Sequence, residues 1–166
     1  ATAGVGIAFA YQSFIQAIGF FFGSGSGNYI SRALGAKKEQ NAEKMASTGF
    51  FSALLAGIAI GLAGLIFIKP LATLLGATPD IESYAIDYLK YLLIAAPFMI
   101  SQMVLNNQLR LQGNASQAMI GLVSGAIINI ILDPVFIYTL ELGVSGAAIA
   151  TLVSQIISWS ILLIVT

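Results

Sequence analysis

Histidine and cysteine are both absent from this sequence, and charge is scarce: 8% of its 166 residues are Asp, Glu, Lys or Arg. Without histidine, the commonest general base and the commonest metal ligand are lost together. Without cysteine there is neither a disulfide framework nor a thiolate metal site. Soluble domains carry about 25% charged residues, so a chain this poor in charge cannot clothe a water-facing surface, and lipid must meet much of it. The formal net charge is zero, which argues against nucleic acid, where a basic footprint is expected. No charged leader with a cleavage site opens the sequence. The first residues, "ATAGVGIAFA", already read as membrane helix, and with no initiator methionine the chain is expected to be a piece of a longer protein.

What is abundant is apolar residues, 58% of the total. A membrane helix needs about 20 of them in succession to cross roughly 30 Å of hydrocarbon. Five stretches qualify, at about 3–30, 45–68, 84–109, 115–139 and 143–166. The expected fold is therefore all-α, a polytopic membrane helix bundle. The connection "KPLATLLGATPDIE" is long enough to hold a short interfacial helix. Basic residues favour the cytoplasmic side. Placing the 31–44 and 110–114 loops there puts Arg32, Lys37, Lys38, Lys44 and Arg110 inside and leaves Lys69 and Lys90 outside.

Two local patterns have modest readings. "GFFFGSGSGN" approaches a dinucleotide fingerprint, but it ends an apolar helix instead of following a strand. Gly19, Gly23 and Gly27, at four-residue steps, are better read as a small-residue ridge for close helix packing. The loop "SRALGAKKEQNAEK" mixes four basic with two acidic residues, so it fits topology determination better than the uninterrupted basic cluster of a lipid-binding patch.

Polar residues inside the spans recur at i and i+4, on one helix face. The pairs are Gln12 with Gln16, Gln102 with Asn106, Asn129 with Asp133, and Thr151 with Gln155. Each alone could be an interhelical hydrogen bond; pairs on four spans suggest a shared polar cavity. The span at 45–68 has only Ser and Thr near its start, and is expected to be the most lipid-exposed.

Asp133 differs in kind, as the only acidic residue more than one helical turn inside a span. A charge at mid-membrane costs about 2.5–3.5 kcal/mol on insertion scales, and such residues usually line ion or proton pathways. At 1.5 Å per residue, Asp133 lies about 9 Å and Thr151 about 12 Å below the same boundary. The short turn between their helices sets them antiparallel. Gly121 and Gly125 continue the Asn129–Asp133 face and let a neighbour or ligand approach. Pro134 leaves the Ile130 carbonyl without its helical partner and is expected to kink the helix, as is Pro97 in the third span. Carboxylate, amide oxygen, hydroxyl and freed carbonyl together suit a small hard cation, such as Na⁺ at Asp133, or a proton held on that carboxyl. The plain alternative is an Asp that simply bonds Asn129 or Gln155 and stays neutral.

"NYISRALGAKK" after a glycine-rich helix, "LRLQGNA", "NIILDPVFIY" and "LGVSGAAIATLVSQ" resemble the multidrug and toxic compound extrusion (MATE) transporters. The similarity runs in order along essentially the whole chain. Complete members have twelve helices in two six-helix lobes, and this chain resembles helices two to six of the N-terminal lobe. The resemblance implies an antiporter that exports cationic, amphipathic drugs or metabolites against Na⁺ or H⁺, with no other cofactor, in the plasma (inner) membrane of a prokaryote. It also implies a cation site in which Asn129, Asp133 and Thr151 match the family's fifth- and sixth-helix positions. Gln12, Gln16, Gln102, Asn106 and Gln155 are weaker candidates for the substrate cavity. The site's further acidic partner belongs to the family's first helix, and the opposite wall of the cleft to the C-terminal lobe. Transport by these residues alone is not expected.

Two other readings compete. A lipid-linked oligosaccharide flippase of the same superfamily would line its cavity with Arg or Lys, and no basic residue lies mid-span. A non-transporting membrane scaffold needs no cavity at all. An intramembrane enzyme is disfavoured, because one Asp with no His or Cys assembles neither a Ser–His pair nor an aspartyl dyad.

Overall fold

The computed structural model of the chain describes residues 2–166, with side chains from residue 6 onward. Six α-helices follow in order: α1 (Thr2–Gly35), α2 (Glu39–Ile66), α3 (Ile68–Leu74), α4 (Glu82–Leu111), α5 (Ala115–Pro134) and α6 (Gly143–Val165), with a π-helical turn at Val135–Thr139. No strand occurs among the described residues. Five helices are long and apolar enough to cross a membrane: α1, α2, α4, α5 with its π-helical extension, and α6. The short α3 lies in the connection where the sequence leaves room for one.

Helices run further than hydropathy suggests. The 31–44 segment expected as a loop is non-helical only over residues 36–38. Hydropathy registers where hydrocarbon ends, whereas a helix continues until its last carbonyls are capped. Here the cap is a Schellman motif: Lys38 N–H donates to the Ala33 carbonyl (2.8 Å) and Lys37 N–H to that of Leu34 (3.0 Å). Lys37 takes the left-handed φ of 60° usually left to glycine. The same motif closes α4, where Gly113 (φ 91°) lets Asn114 N–H reach the Leu109 carbonyl at 2.9 Å.

The bundle is organised around α4, which packs against every other helix and is the most buried of the five spans. In a membrane, apolar side chains gain little by leaving lipid, so close backbone approach and interhelical hydrogen bonds do the joining. Both concentrate on α4. Gly19, Gly23 and Gly27 of α1 lie against Met103, Asn107 and Leu111 of α4, so close that a Cβ on Gly19 would stand 2.8 Å from Met103 Cβ. The small-residue ridge read from the sequence is thus the α1–α4 contact.

A second ridge was not recognised in the sequence. Gly49, Ala53, Gly57 and Gly61, again at four-residue steps, form the buried face of α2. Gly57 abuts Pro97, and Gly61 abuts the Leu93 carbonyl, at 2.6 Å from where its Cβ would be. Leu93 is the residue whose carbonyl Pro97 deprives of an N–H donor. The closely approaching Gly61 backbone covers that carbonyl, and α4 stays helical through Pro97.

This packing corrects the expectation that 45–68 is the most lipid-exposed span. The least buried span is α5, with Met119, Ile120, Val123, Ile127, Ile130 and Ile131 exposed. Counting polar residues overlooked that glycine and alanine hold α2 in place.

Four amides near the end of α4 tie its neighbours to it. Gln102 Nε2 donates to Ser158 Oγ on α6 (2.7 Å), and Asn106 Nδ2 to the Ala118 carbonyl on α5 (2.9 Å). Gln108 Nε2 donates to Ser26 Oγ on α1 (3.0 Å) and to the Ala46 carbonyl on α2 (3.3 Å). Asn107 turns back to the Met103 carbonyl (3.0 Å) and packs under Gly23. With α1 and α2 on one flank of α4 and α5 and α6 on the other, a cleft remains between α1 and the α5–α6 pair.

Candidate functional site

That cleft holds a cavity of about 410 Å³ lined by residues of α1, α4, α5 and α6. Gln12, Gln102, Asn129, Asp133, Thr151 and Gln155 all face it. A second, smaller cavity of about 90 Å³ adjoins it and shares Gln102 and Gln155, adding Gln16 and Asn106. All four polar pairs therefore converge, though the helices carrying them are far apart in sequence. The prolines do not join them. Pro97 packs against α2, away from the cleft. Pro134 ends α5 and passes directly into the π-helical turn, so the helix widens there without breaking.

On α5, Asn129 Nδ2 points at Asp133 Oδ1 across 3.4 Å, a long and weak hydrogen bond. The Asn129 contact expected from the sequence is present, and the Asp133 carboxylate keeps further acceptor capacity facing the cavity. Opposite, Thr151 Oγ1 donates to its own helix at the Ala147 carbonyl (3.0 Å), which leaves the oxygen lone pairs available to the cavity. Gly125 brings α6 close, its Cβ position 2.8 Å from Ser158 Cβ. Ser158 Oγ donates in turn to the Gly121 carbonyl at 2.5 Å. Gly121 and Gly125 therefore admit the neighbouring helix α6, and Gly125 also lines the cavity.

Tyr88 on α4 was missed. It is 8% exposed, and it lines the cavity together with Thr151 and Asp133. A tyrosine in an apolar helix ordinarily reads as core. The usable signal was register, since Tyr88 and Asn106 are eighteen residues apart, five full turns at 3.6 residues each, and so share the face that looks into the cleft.

Asn106 and Gln102 carry structural duties as well, through their bonds to Ala118 and Ser158. Gln102 Oε1 is buried with no partner among the described residues. No group of three or more His, Cys, Asp or Glu side chains gathers among the described residues. A cation here would be met by one carboxylate and neutral oxygens: Asn129 Oδ1, Thr151 Oγ1 and the Tyr88 phenol. Hard cations accept such mixed oxygen sets.

The helix order, the cleft and its single carboxylate define a lobe of a polytopic membrane protein with a half-buried polar site. The MatE family model matches residues 1–135, and the chain belongs to that family. The multidrug export protein MepA of Staphylococcus haemolyticus (strain JCSC1435) is 40% identical over 144 residues, 87% of this chain and 32% of MepA. MepA of Staphylococcus aureus (strain MRSA252) is 34% identical over 142 residues, 86% of this chain and 32% of its own length. Among solved structures, a multidrug resistance MATE family transporter of the MOP superfamily, in its inward-facing conformation, superposes with a TM-score of 0.91. It is 35% identical and covers 97% of this chain and 37% of its own. A MATE structure in the bent conformation gives 0.92 at 36% identity, over 96% of this chain and 36% of that one. The chain spans about a third of the length of the curated relatives it matches.

Proposed function

We propose that the full-length protein is a secondary antiporter that exports cationic, amphipathic drugs or metabolites in exchange for Na⁺ or H⁺. In this reading the chain is helices two to six of an N-terminal lobe, and Asp133 is the carboxylate that takes the coupling ion. The observation that carries it is the setting of Asp133: the one acid lining the polar cavity, its charge answered by no cation among the described residues. Family membership and relatives named as multidrug export proteins point the same way. The cavity lining contains no Lys or Arg, which disfavours a flippase gripping a pyrophosphate.

Asn129, Thr151 and Tyr88 complete the ion's oxygen shell. Gln12, Gln16, Gln102, Asn106 and Gln155 provide hydrogen-bonding walls for the organic cation. The 36–38 and 112–114 turns face the cytoplasm with Arg32, Lys37, Lys38, Lys44 and Arg110, in the plasma membrane of a prokaryote. Charging or neutralising Asp133 alters the hydrogen bonds at the end of α5, where Pro134 has already replaced α-helical by π-helical pairing. That end of α5 is the bistable element through which ion binding biases the lobe between its two access states.

The test is reconstitution. Full-length protein in liposomes should move tetraphenylphosphonium when an inward Na⁺ or H⁺ gradient is imposed, and should stop when the gradient is collapsed. Movement indifferent to both gradients excludes antiport. Tyr88→Phe removes one hydroxyl from the ion shell without opening a hole. It should raise the concentration of coupling ion needed for half-maximal transport several-fold, on the order of one neutral hydrogen bond, with thermal stability unchanged.

A further inference from the structure

Resting on the antiport reading above, we propose that Ser158 is a positioning residue, its hydroxyl a two-position contact that couples the drug-facing wall of α4 to the ion-bearing helix α5. Gln102 Nε2 donates to Ser158 Oγ (2.7 Å), and Ser158 Oγ donates to the Gly121 carbonyl (2.5 Å). Two successive bonds thus join α4, α6 and α5, with Gln102 7% and Ser158 1% exposed. Gln102 stands in the walls of both cavities. Gly121 lies on the α5 face that carries Asp133, about 18 Å from it along the helix.

The contact has a ready alternative. Ser13, Ser26, Ser101, Ser124, Ser154 and Ser160 each donate to a carbonyl of their own helix. Ser158 reaches across to another helix instead. Its own-helix acceptor would be the Ser154 carbonyl, four residues back, which borders the same Gly125 position, 3.8 Å from where a Cβ would be. The Gly121 carbonyl, for its part, is crowded. It has two lone pairs, and besides Ser158 it serves the Gly125 N–H of its own helix and the Ser124 hydroxyl at 3.0 Å. In either arrangement the Ser158 hydroxyl and the Gly121 carbonyl each keep a partner. What differs is whether α5 is held to α6 at Gly121.

Both ligands bias that choice. Gln102 occupies a lone pair of Ser158 Oγ, so the direction of the O–H follows the amide, and the amide follows what fills the cavities beside it. From the other end, an ion held between Asp133 and Thr151 draws the outer part of α5 toward α6. The helix then tilts about Gly121 and Gly125, where no α5 side chain intervenes. One two-position element biased from two sites is the physical requirement for coupling them.

The experiment measures tetraphenylphosphonium binding to the purified full-length protein with and without saturating coupling ion, and reads the ratio of the two affinities. Wild type should show a ratio of about five or more. Ser158→Ala should bring it below about two while drug still binds. Gln102→Met, which keeps the side-chain volume but cannot donate, should lower it likewise, and it decides the matter if Ser158→Ala does not accumulate. Ser26→Ala is the structural control. Ser26 also accepts from an α4 amide, Gln108 (3.0 Å), but donates to its own helix at the Phe22 carbonyl (2.8 Å). Its loss should lower the unfolding midpoint much as Ser158→Ala does and leave the ratio at the wild-type value. A full ratio in Ser158→Ala or Gln102→Met overturns the proposal. So does an equal loss of ratio in Ser26→Ala, the mark of general loosening. A wild type in which neither Na⁺ nor H⁺ alters drug affinity refutes antiport itself, and this route with it.

Discussion

Asp133→Asn in the full-length protein is expected to abolish ion-driven export while the protein stays folded and still binds drug. The substitution keeps the side-chain shape and leaves an Oδ1 to accept from Asn129, whose contact is already long at 3.4 Å. What it removes is the only carboxylate lining the cleft, a group that carries charge in one state and none in another. Coupling between two ligands of one protein is typically 5- to 150-fold in affinity, so transport should fall by at least tenfold, to background. Stability should hold or rise, because an intramembrane charge costs insertion energy that an amide does not. Losing activity without losing stability separates an ion site from a structural one. Asn129→Ala and Thr151→Ala remove neutral oxygens and should cost only several-fold. If Asp133→Asn exports as wild type does, the site assignment fails.

The second large effect is on folding. Gly57→Leu should destabilise the full-length protein by about 3 kcal/mol or prevent its accumulation, at the upper end of what overpacking costs. Even the first atom added to Gly57 meets backbone: Pro97 Cα, Pro97 N at 2.9 Å and the Ala96 carbonyl at 3.1 Å. Backbone cannot rotate aside as a side chain can, so α2 must lift from α4 and uncover Leu93. Gly25 is the control. It also lies within a membrane helix, yet nothing stands within 4 Å of its Cβ position, so Gly25→Leu should be neutral or mildly stabilising through helix propensity. Thermal unfolding of the two proteins in one detergent separates the outcomes, and equal midpoints would refute the α2–α4 account.

Much of this molecule was legible because lipid simplifies the code. Hydrophobic length gave the five spans, and i, i+4 spacing gave the four polar pairs that line the two cavities. Asp133 stood out since no other acid shares its surroundings. What stayed hidden depends on contacts between distant segments. Tyr88 looks like core until α4 is placed beside α5 and α6. The glycines of α2 reveal their purpose only when Pro97 is found beneath them. Exposure of α5 could not be read from a strip of apolar residues, which looks the same facing lipid or a neighbouring helix. Helix ends were misjudged for another reason: hydropathy marks the edge of hydrocarbon, whereas the Schellman motif after Gly35 is set by hydrogen bonds beyond that edge. At Pro134 the sequence announced a disturbance, and the structure gave it the form of a π-helical turn.

The central claim is that Asp133 links the coupling ion to the exported cation, and one equilibrium measurement addresses it directly. Binding of labelled tetraphenylphosphonium to the purified full-length protein is followed as Na⁺ is raised, and separately as pH is lowered. The account predicts that one of the two ions weakens drug binding at least fivefold in wild type, and that Asp133→Asn binds the drug with an affinity indifferent to that ion. An ion dependence that survives unchanged in Asp133→Asn would contradict it.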